Sequence, residues 1–298
     1  MASDRRHNSI DKACDALGLE LIVVEADRAT HALTLEALRR QLAGVDEDLL
    51  GSAALVLTAG TVAVGAVDDL AMIRALRAGG SPRFSPAWVH VDSAWLGACM
   101  LSDELAPLLS GVQDADSCCF SAHKWLYQPK GSAVVLFRDA ESQRKISYGA
   151  PTGLPPAIAT PTVGLLGSAP TTSMPLLATL LSMGRRGVAE RIEADVRKAT
   201  ALAALAREDD EFEVFEGRAG DAGRTGVVAW RPKAFAPDAI SMHALRSSME
   251  AAWVSLATID GVTWFRSVAA NPNADPRLVL EEARRAVARV GGRAPPGG

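Results

Sequence analysis

Two stretches hold the residues best suited to chemistry. Trp88-Val89-His90-Val91-Asp92-Ser93-Ala94-Trp95 reads as a buried strand that ends in a carboxylate. Ser121-Ala122-His123-Lys124-Trp125 sets a histidine and a lysine just after a second apolar run, residues 116–120. Thirty-two residues separate Asp92 from Lys124, about the length of one helix-containing crossover between neighbouring parallel strands. Ligands of open α/β sheets bind beyond the carboxyl ends of the strands, so both stretches deliver polar side chains to one crevice. An aspartate and a lysine in that place suit pyridoxal phosphate. The lysine amine forms a Schiff base with the aldehyde, and the carboxylate keeps the pyridine nitrogen protonated so that the ring can draw electrons from a carbanion. Taken singly, each residue has a plainer reading: Asp92 as a helix cap, Lys124 as a solvated loop charge.

Those side chains need a sheet to carry them. Residues 7–18 predict a short helix with Ser9 as its N-cap, Ile10, Ala13, Cys14 and Leu17 on one face, and Gly18 as the stop. A short strand at 21–24 and an amphipathic helix at 34–42 follow. The wholly apolar run 53–57, bounded by polar and glycine residues, predicts a parallel strand covered on both faces. It leads into Thr58-Ala59-Gly60-Thr61-Val62, after which Gly65-Ala66-Val67-Asp68-Asp69 opens a helix through Leu76. Residues 87–91 are the central strand, 104–109 a short helix, 115–120 the next strand and 132–137 a strand returning into the sheet. Residues 139–172 contain Pro151, Pro155, Pro156, Pro161 and Pro170 and keep no periodicity, which predicts a long loop. The tail alternates strands (211–215, 226–230, 253–259, 262–268) with helices (237–249, 275–290). The expected organisation is a large unit over 1–172, a connecting helix over 173–207 broken near Gly184 and Gly187, a small C-terminal α/β unit over 208–292, and a disordered tail over 293–298.

Composition narrows the classes. With 48% apolar and 22% charged residues the chain has the makeup of a globular protein. A formal net charge of −4 gives no reason to expect nucleic acid or anionic lipid as a partner. No apolar run reaches bilayer length, and nothing apolar follows Met1-Ala2-Ser3-Asp4-Arg5-Arg6, so neither a membrane span nor a signal peptide is expected. Cys14, Cys99, Cys118 and Cys119 form no C-x-x-C pair and read as small core residues of a protein in the reducing cytoplasm. The five histidines show no metal-ligand spacing.

The order H-V-D-S-A-W, then Ala115-Asp116-Ser117, then His123-Lys124-Trp125-Leu126 resembles the group II pyridoxal-phosphate-dependent amino acid decarboxylases. The likeness runs along nearly the whole chain. Residues 7–18 are similar to that family's H-x-S-x-x-K-A-x-x-x-L-G segment, Thr58 to Asp68 to its T-A-G-T-T…G-A-x-D segment, and Trp264-Phe265-Arg266…Asn271-Pro272 to its C-terminal L-R…N-P segment. The resemblance implies the aspartate-aminotransferase (fold type I) architecture and the loss of carbon dioxide from an amino acid. It also implies roles: Lys124 carries the cofactor, Asp92 faces the ring nitrogen, Ala94 packs on the ring, His7 stacks on it, Thr61 lies beside it, and His123 contacts the phosphate or the substrate carboxylate. Tyr148 would deliver the proton from the mobile loop, and Gly167-Ser168 would approach a neighbouring subunit's site.

Two departures stand out. Val62 replaces the second threonine, and Ala169-Pro170 stand where arginines usually follow. The family's N-terminal part, with an S-G-G-T-E-A-N-like phosphate-gripping turn, is expected to be absent, so the resemblance implies a homodimer or a partner chain that supplies it. Three readings result: a carboxy-lyase subunit, a non-catalytic or half-enzyme partner of a full-length decarboxylase, or another pyridoxal-phosphate carbon–carbon lyase or transaminase.

Overall fold

The structure is a computed structural model and describes residues 1–46, 50–79, 84–148, 162–163, 171, 173–217 and 222–291. Its frame is a six-stranded sheet of β1 (Ala2–Ser3), β2 (Val23–Val24), β3 (Ala54–Thr58), β4 (Trp88–Asp92), β5 (Ser117–Ser121) and β6 (Ala133–Phe137), in the order β2-β1-β3-β4-β5-β6. All pairs are parallel except β5–β6. The apolar runs form these strands because both sheet faces are covered at the centre: Leu55, Leu57, Val89 and Val91 are fully buried. The parallel strands therefore end together on one edge. The register aligns Thr58 with Asp92, Asp92 with Cys119, and Cys119 with Val135, and residues so paired share a sheet face.

The connections correct several expectations. Helix α1 (Ser9–Leu17) is present, but Ser9 is its first residue rather than its cap. Asn8 occupies the cap position with no side-chain bond, and the His7 ring accepts the Ser9 N–H instead, at 3.2 Å. None of the apolar stripe of α1 is buried. Helix α2 (Leu35–Leu42) forms as expected, with Thr34 accepting the Ala37 N–H at 3.1 Å. No helix runs from Gly65. Thr61 closes a turn by taking the Ala66 N–H, and the buried Asp68 carboxylate is used up on the N–H groups of Leu33 and Thr58, both at 2.7 Å. Only then does α3 (Met72–Arg77) begin. The crossover from β4 to β5 holds three 3-10 turns, Leu96–Leu101, Ala106–Leu109 and Val112–Asp114, in place of an α-helix. Pro107 near the start of the second turn and the glycines at 97 and 111 work against a longer helix.

After β6 come α4 (Ala140–Lys145) and a two-stranded ribbon, β7 (Ser147–Tyr148) with β8 (Thr162–Val163). The long α5 (Ser173–Glu208) is interrupted at Gly184. It packs Val188, Ile192 and Val196 into the core of the first sheet and Ala199, Leu202, Ala203 and Ala206 into a second core. That second core lies on an antiparallel sheet of β9 (Phe212–Val214), β10 (Val227–Pro232), β11 (Ser255–Ile259) and β12 (Val262–Val268), with α6 (Ala239–Ser247) and α7 (Pro276–Gly291). Two tryptophans tie the small sheet to the large one. Trp95 Nε1 donates to the Thr225 carbonyl and Trp125 Nε1 to the Ala269 carbonyl, each at 2.7 Å, with the ring centroids 4.2 Å apart.

Candidate active site

Asp92 is the last residue of β4 and is 8% exposed. Its Oδ1 accepts the Ala94 N–H at 3.0 Å and the Cys119 S–H at 3.7 Å. Its Oδ2 accepts no hydrogen bond from any described residue, which leaves one carboxylate oxygen unengaged at the strand end.

Lys124 lies in the turn after β5, with its backbone N–H on the Ser121 carbonyl at 3.1 Å. Its half-buried amine makes no hydrogen bond or ion pair with a described residue. Burial is the largest influence on this amine and pushes it below the usual lysine range. The Asp92 carboxylate draws it back up, and Arg266 pushes it further down. Asp92 and Arg266 thus act on the amine electrostatically with opposite signs.

Arg266 comes from β12, in the small unit. Its Nε donates to the Val62 carbonyl, and Nη1 donates to Ser255 Oγ at 3.3 Å. Burial lowers its own affinity for a proton, and no carboxylate among the described residues pairs with it. The Trp264-Phe265-Arg266 motif is visible in the sequence, but nothing there shows that it returns to Lys124.

The other expected residues divide. Ala94 bridges the two motif loops, since its carbonyl accepts the Ser121 N–H at 3.1 Å. His123 Nδ1 lies 3.1 Å from the Ser132 carbonyl. A carbonyl can only accept, so Nδ1 carries the hydrogen and Nε2 is left without a described partner. Thr61 is buried, with its oxygen engaged by its own turn, and Val62 beside it is exposed. His7 is exposed just beyond β1, on the same sheet edge as Asp92, and bonds Ser9 Oγ at 2.8 Å. Tyr148 pairs with Thr162 through the backbone; its side chain, like Gly167 and Ser168, lies outside the described residues.

Two recognised motif residues build the frame. Asp116 takes the Val89 N–H at 2.7 Å and the guanidinium groups of Arg77 and Arg138 at 2.8 and 2.7 Å, which pins β4 to β5. Ser117 Oγ accepts Trp88 Nε1 at 3.0 Å and pairs with His90 Nδ1 at 2.8 Å. Cys118 is core, as expected, but Cys119 is not: it faces Asp92. A cavity of about 700 Å³ is lined by the 64–71 segment and by Phe215 and Thr225 of the small unit; none of His7, Asp92, His123 or Lys124 borders it.

The residues present fit the ring end of pyridoxal phosphate. They offer an unengaged carboxylate oxygen and an unengaged, depressed amine on adjacent strand ends, with the small residue Ala94 linking the two loops through its carbonyl. Among the described residues no group of histidine, cysteine and carboxylate side chains is placed to hold a metal ion.

Comparison with known proteins agrees. Residues 1–232 match the model for the pyridoxal-dependent decarboxylase conserved domain, well over half of the chain. An aspartate 1-decarboxylase of Aliivibrio fischeri is 31% identical over 218 residues, which are 71% of this chain and 38% of that protein. An L-2,4-diaminobutyrate decarboxylase of Rhizobium meliloti is 28% identical over 293 residues, 94% of this chain and 57% of that one. In structure the chain resembles mouse CSAD, with a TM-score of 0.81 at 24% identity, covering 96% of this chain and 63% of the other. The chain therefore spans 38% to 63% of these proteins, has the fold of the solved one, and belongs to the pyridoxal-dependent decarboxylase family.

Proposed function

We propose that this chain carries the lysine and the ring-binding wall of a pyridoxal-phosphate-dependent amino acid decarboxylase. The observation that carries the reading is the half-buried Lys124 amine, without a described partner, on the strand end next to Asp92, whose carboxylate acts on it and keeps Oδ2 free of described donors. The cofactor, when bound, supplies an aldehyde for an amine and a ring that accepts electrons. Lys124 is the amine that holds it, and burial helps this amine reach the unprotonated form needed for attack. Asp92 Oδ2 would accept the pyridine N–H, and Ala94 and His7 are the residues proposed for the ring faces, on the resemblance of their segments to the family. His123 Nε2 and Thr61 are the contacts proposed toward the phosphate side. Arg266 receives the substrate carboxylate, because it is the half-buried cation that acts on Lys124 from the small unit. Tyr148 is the proton donor and Gly167-Ser168 a further cofactor contact, both on the resemblance of their segment to the family. The substrate class is an α-amino acid, and the two cores mark the two units that enclose it. The cytoplasm as its compartment accords with four free thiols and with the absence, among the described residues, of a helix long and apolar enough to cross a membrane.

Borohydride reduction after reconstitution with pyridoxal phosphate tests the assignment. The label should be recovered on the peptide containing Lys124, and recovery on Lys130 or Lys145 would overturn it.

A second observation favours a half-enzyme organisation. β6 is an edge strand of uniformly apolar residues, and Val135 and Leu136 are 52% and 45% exposed although they point to opposite faces. Strands of such sheets are normally covered on both faces, and a flat apolar edge invites another strand. We infer that a segment equivalent to the unmatched share of the relatives, on this polypeptide or another, packs on β6. Light scattering should then show self-association or aggregation of the 298-residue chain alone. A monodisperse monomer that retains stoichiometric cofactor through dialysis would sink this reading.

A further inference from the structure

Cys119 has a role that packing does not explain. It pairs in register with Asp92 on one side and Val135 on the other, so its side chain shares the sheet face of Asp92. Its carbonyl accepts both the N–H and the Oγ–H of Ser93, at 3.1 and 2.6 Å, which fixes the backbone beneath the sulfur. The sulfur reaches Asp92 Oδ1 at 3.7 Å, within range for a thiol donor.

We propose, on the pyridoxal phosphate reading of this site, that Cys119 is a positioning residue: its S–H and the Ala94 N–H together hold Oδ1 of Asp92, so that Oδ2 is the oxygen turned to the pyridine nitrogen. A carboxylate with one oxygen doubly engaged and the other free is fixed in rotation about its last bond. The thiol has the protonation state this needs. Burial first, and Asp92 next, push it up to about 12, so at neutral pH it is a donor and not a nucleophilic thiolate. Its neighbour Cys118 shows the contrast: it lies in the apolar core, and its thiol has no polar partner among the described residues.

The contact can be read without cofactor from the infrared S–H stretch of the whole chain. The Cys119 band, identified by its loss in Cys119→Ser, should lie below those of Cys99 and Cys118 and move up in Asp92→Ala. Should Asp92→Ala fail to fold, Asp92→Asn, a weaker acceptor, should give a smaller shift of the same sign. Cofactor binding reads the role. Cys119→Val, which keeps the bulk and removes the donor, should weaken pyridoxal phosphate about threefold to tenfold, the range for one modest hydrogen bond. Cys119→Ser, which restores a donor, should bind within about twofold of the parent. In the Asp92→Ala background Cys119→Val should change nothing further. A Cys119 band indifferent to residue 92, or an equal loss of affinity in both backgrounds, overturns the proposal. Failure of the borohydride label to reach Lys124 in the parent chain would instead overturn the pyridoxal phosphate reading, and the assigned role with it, even where the S–H band still reports Asp92.

Discussion

Gly226→Ala should be among the most damaging single-methyl changes in this protein. Gly226 has φ +74° and stands where the small unit meets the two tryptophans. A Cβ there would fall 2.3 Å from Trp125 Cζ2, 2.8 Å from Cη2 and 3.3 Å from Trp95 Cζ2. Ordinary contact needs about 3.4 Å or more, so the Trp125 ring would have to retreat by about an ångström. It has little freedom to do so: it is 1% exposed, stacked on Trp95, and tied through Nε1 to the Ala269 carbonyl. The left-handed backbone costs a residue with a Cβ about 1–2 kcal/mol, and overpacking typically adds about 1–3 kcal/mol. The sum, about 2–5 kcal/mol, is a large part of a domain's usual stability of about 5–15 kcal/mol. Gly131→Ala separates the two contributions, because Gly131 has φ +91° and nothing within 4 Å of its would-be Cβ; it should lose only the backbone share. Urea unfolding of both variants measures the difference, and near-ultraviolet circular dichroism reports the tryptophan pair. If Gly226→Ala unfolds within about 1 kcal/mol of Gly131→Ala and keeps the parent spectrum, the close packing of Trp125 on Gly226 is wrong.

Two further outcomes are expected. Asp92→Asn should fold with parent-like stability yet lose most decarboxylase activity in whatever assembly is active, because an amide cannot hold the pyridine nitrogen protonated; undiminished turnover would make Asp92 a structural cap only. Asp68, pushed up to about 7 by burial, holds a proton in the folded chain that the unfolded chain releases near 3.8. Its contribution to stability is therefore full below about pH 4 and is lost as pH rises through about 7, by at most about 4 kcal/mol, the two backbone N–H groups on the carboxylate opposing the loss. Asp68→Asn should flatten that part of the stability profile between pH 4 and 8, while leaving one of two buried N–H groups unsatisfied at a cost of about 1–3 kcal/mol; an unchanged slope would show that Asp68 does not titrate there.

The parts of the site legible in the sequence are those carried by neighbouring residues. Asp92 and Lys124 each close an apolar run, and a parallel sheet brings such run-ends to one edge whatever lies between them. What lies between is not legible in the same way. Residues 92–124 have the length of a helical crossover, but Pro107 and the glycines at 97 and 111 accompany 3-10 turns there. The Gly65 segment differs from its expected helix for a related reason: Asp68 resembles a helix opener locally, while its partners are Leu33 and Thr58. Adjacent cysteines in an apolar strand look alike, so the sequence assigns Cys119 to the core with Cys118. Only the register with Asp92 separates the face of Cys119 from that of Cys118. Arg266 shows the same limit at longer range, since its influence on Lys124 depends on how β12 docks.

That docking joins stability to chemistry. Lys124 feels Asp92 from its own sheet and Arg266 from the other unit, with opposite signs. Asp92 is fixed by the β4–β5 ladder and by Cys119, so its pull on the amine belongs to the large sheet alone. Arg266 is held by the Val62 carbonyl on one side and Ser255 on the other, so its push exists only while the small sheet is seated. The seat is formed by Trp95 and Trp125, and Trp125 directly follows Lys124 in the chain. A shift of the small unit would therefore move the guanidinium away and displace the lysine turn in one motion. Loss of that push would return some proton affinity to the amine, with burial still the larger influence, so the seating of the small unit and the protonation of Lys124 are coupled.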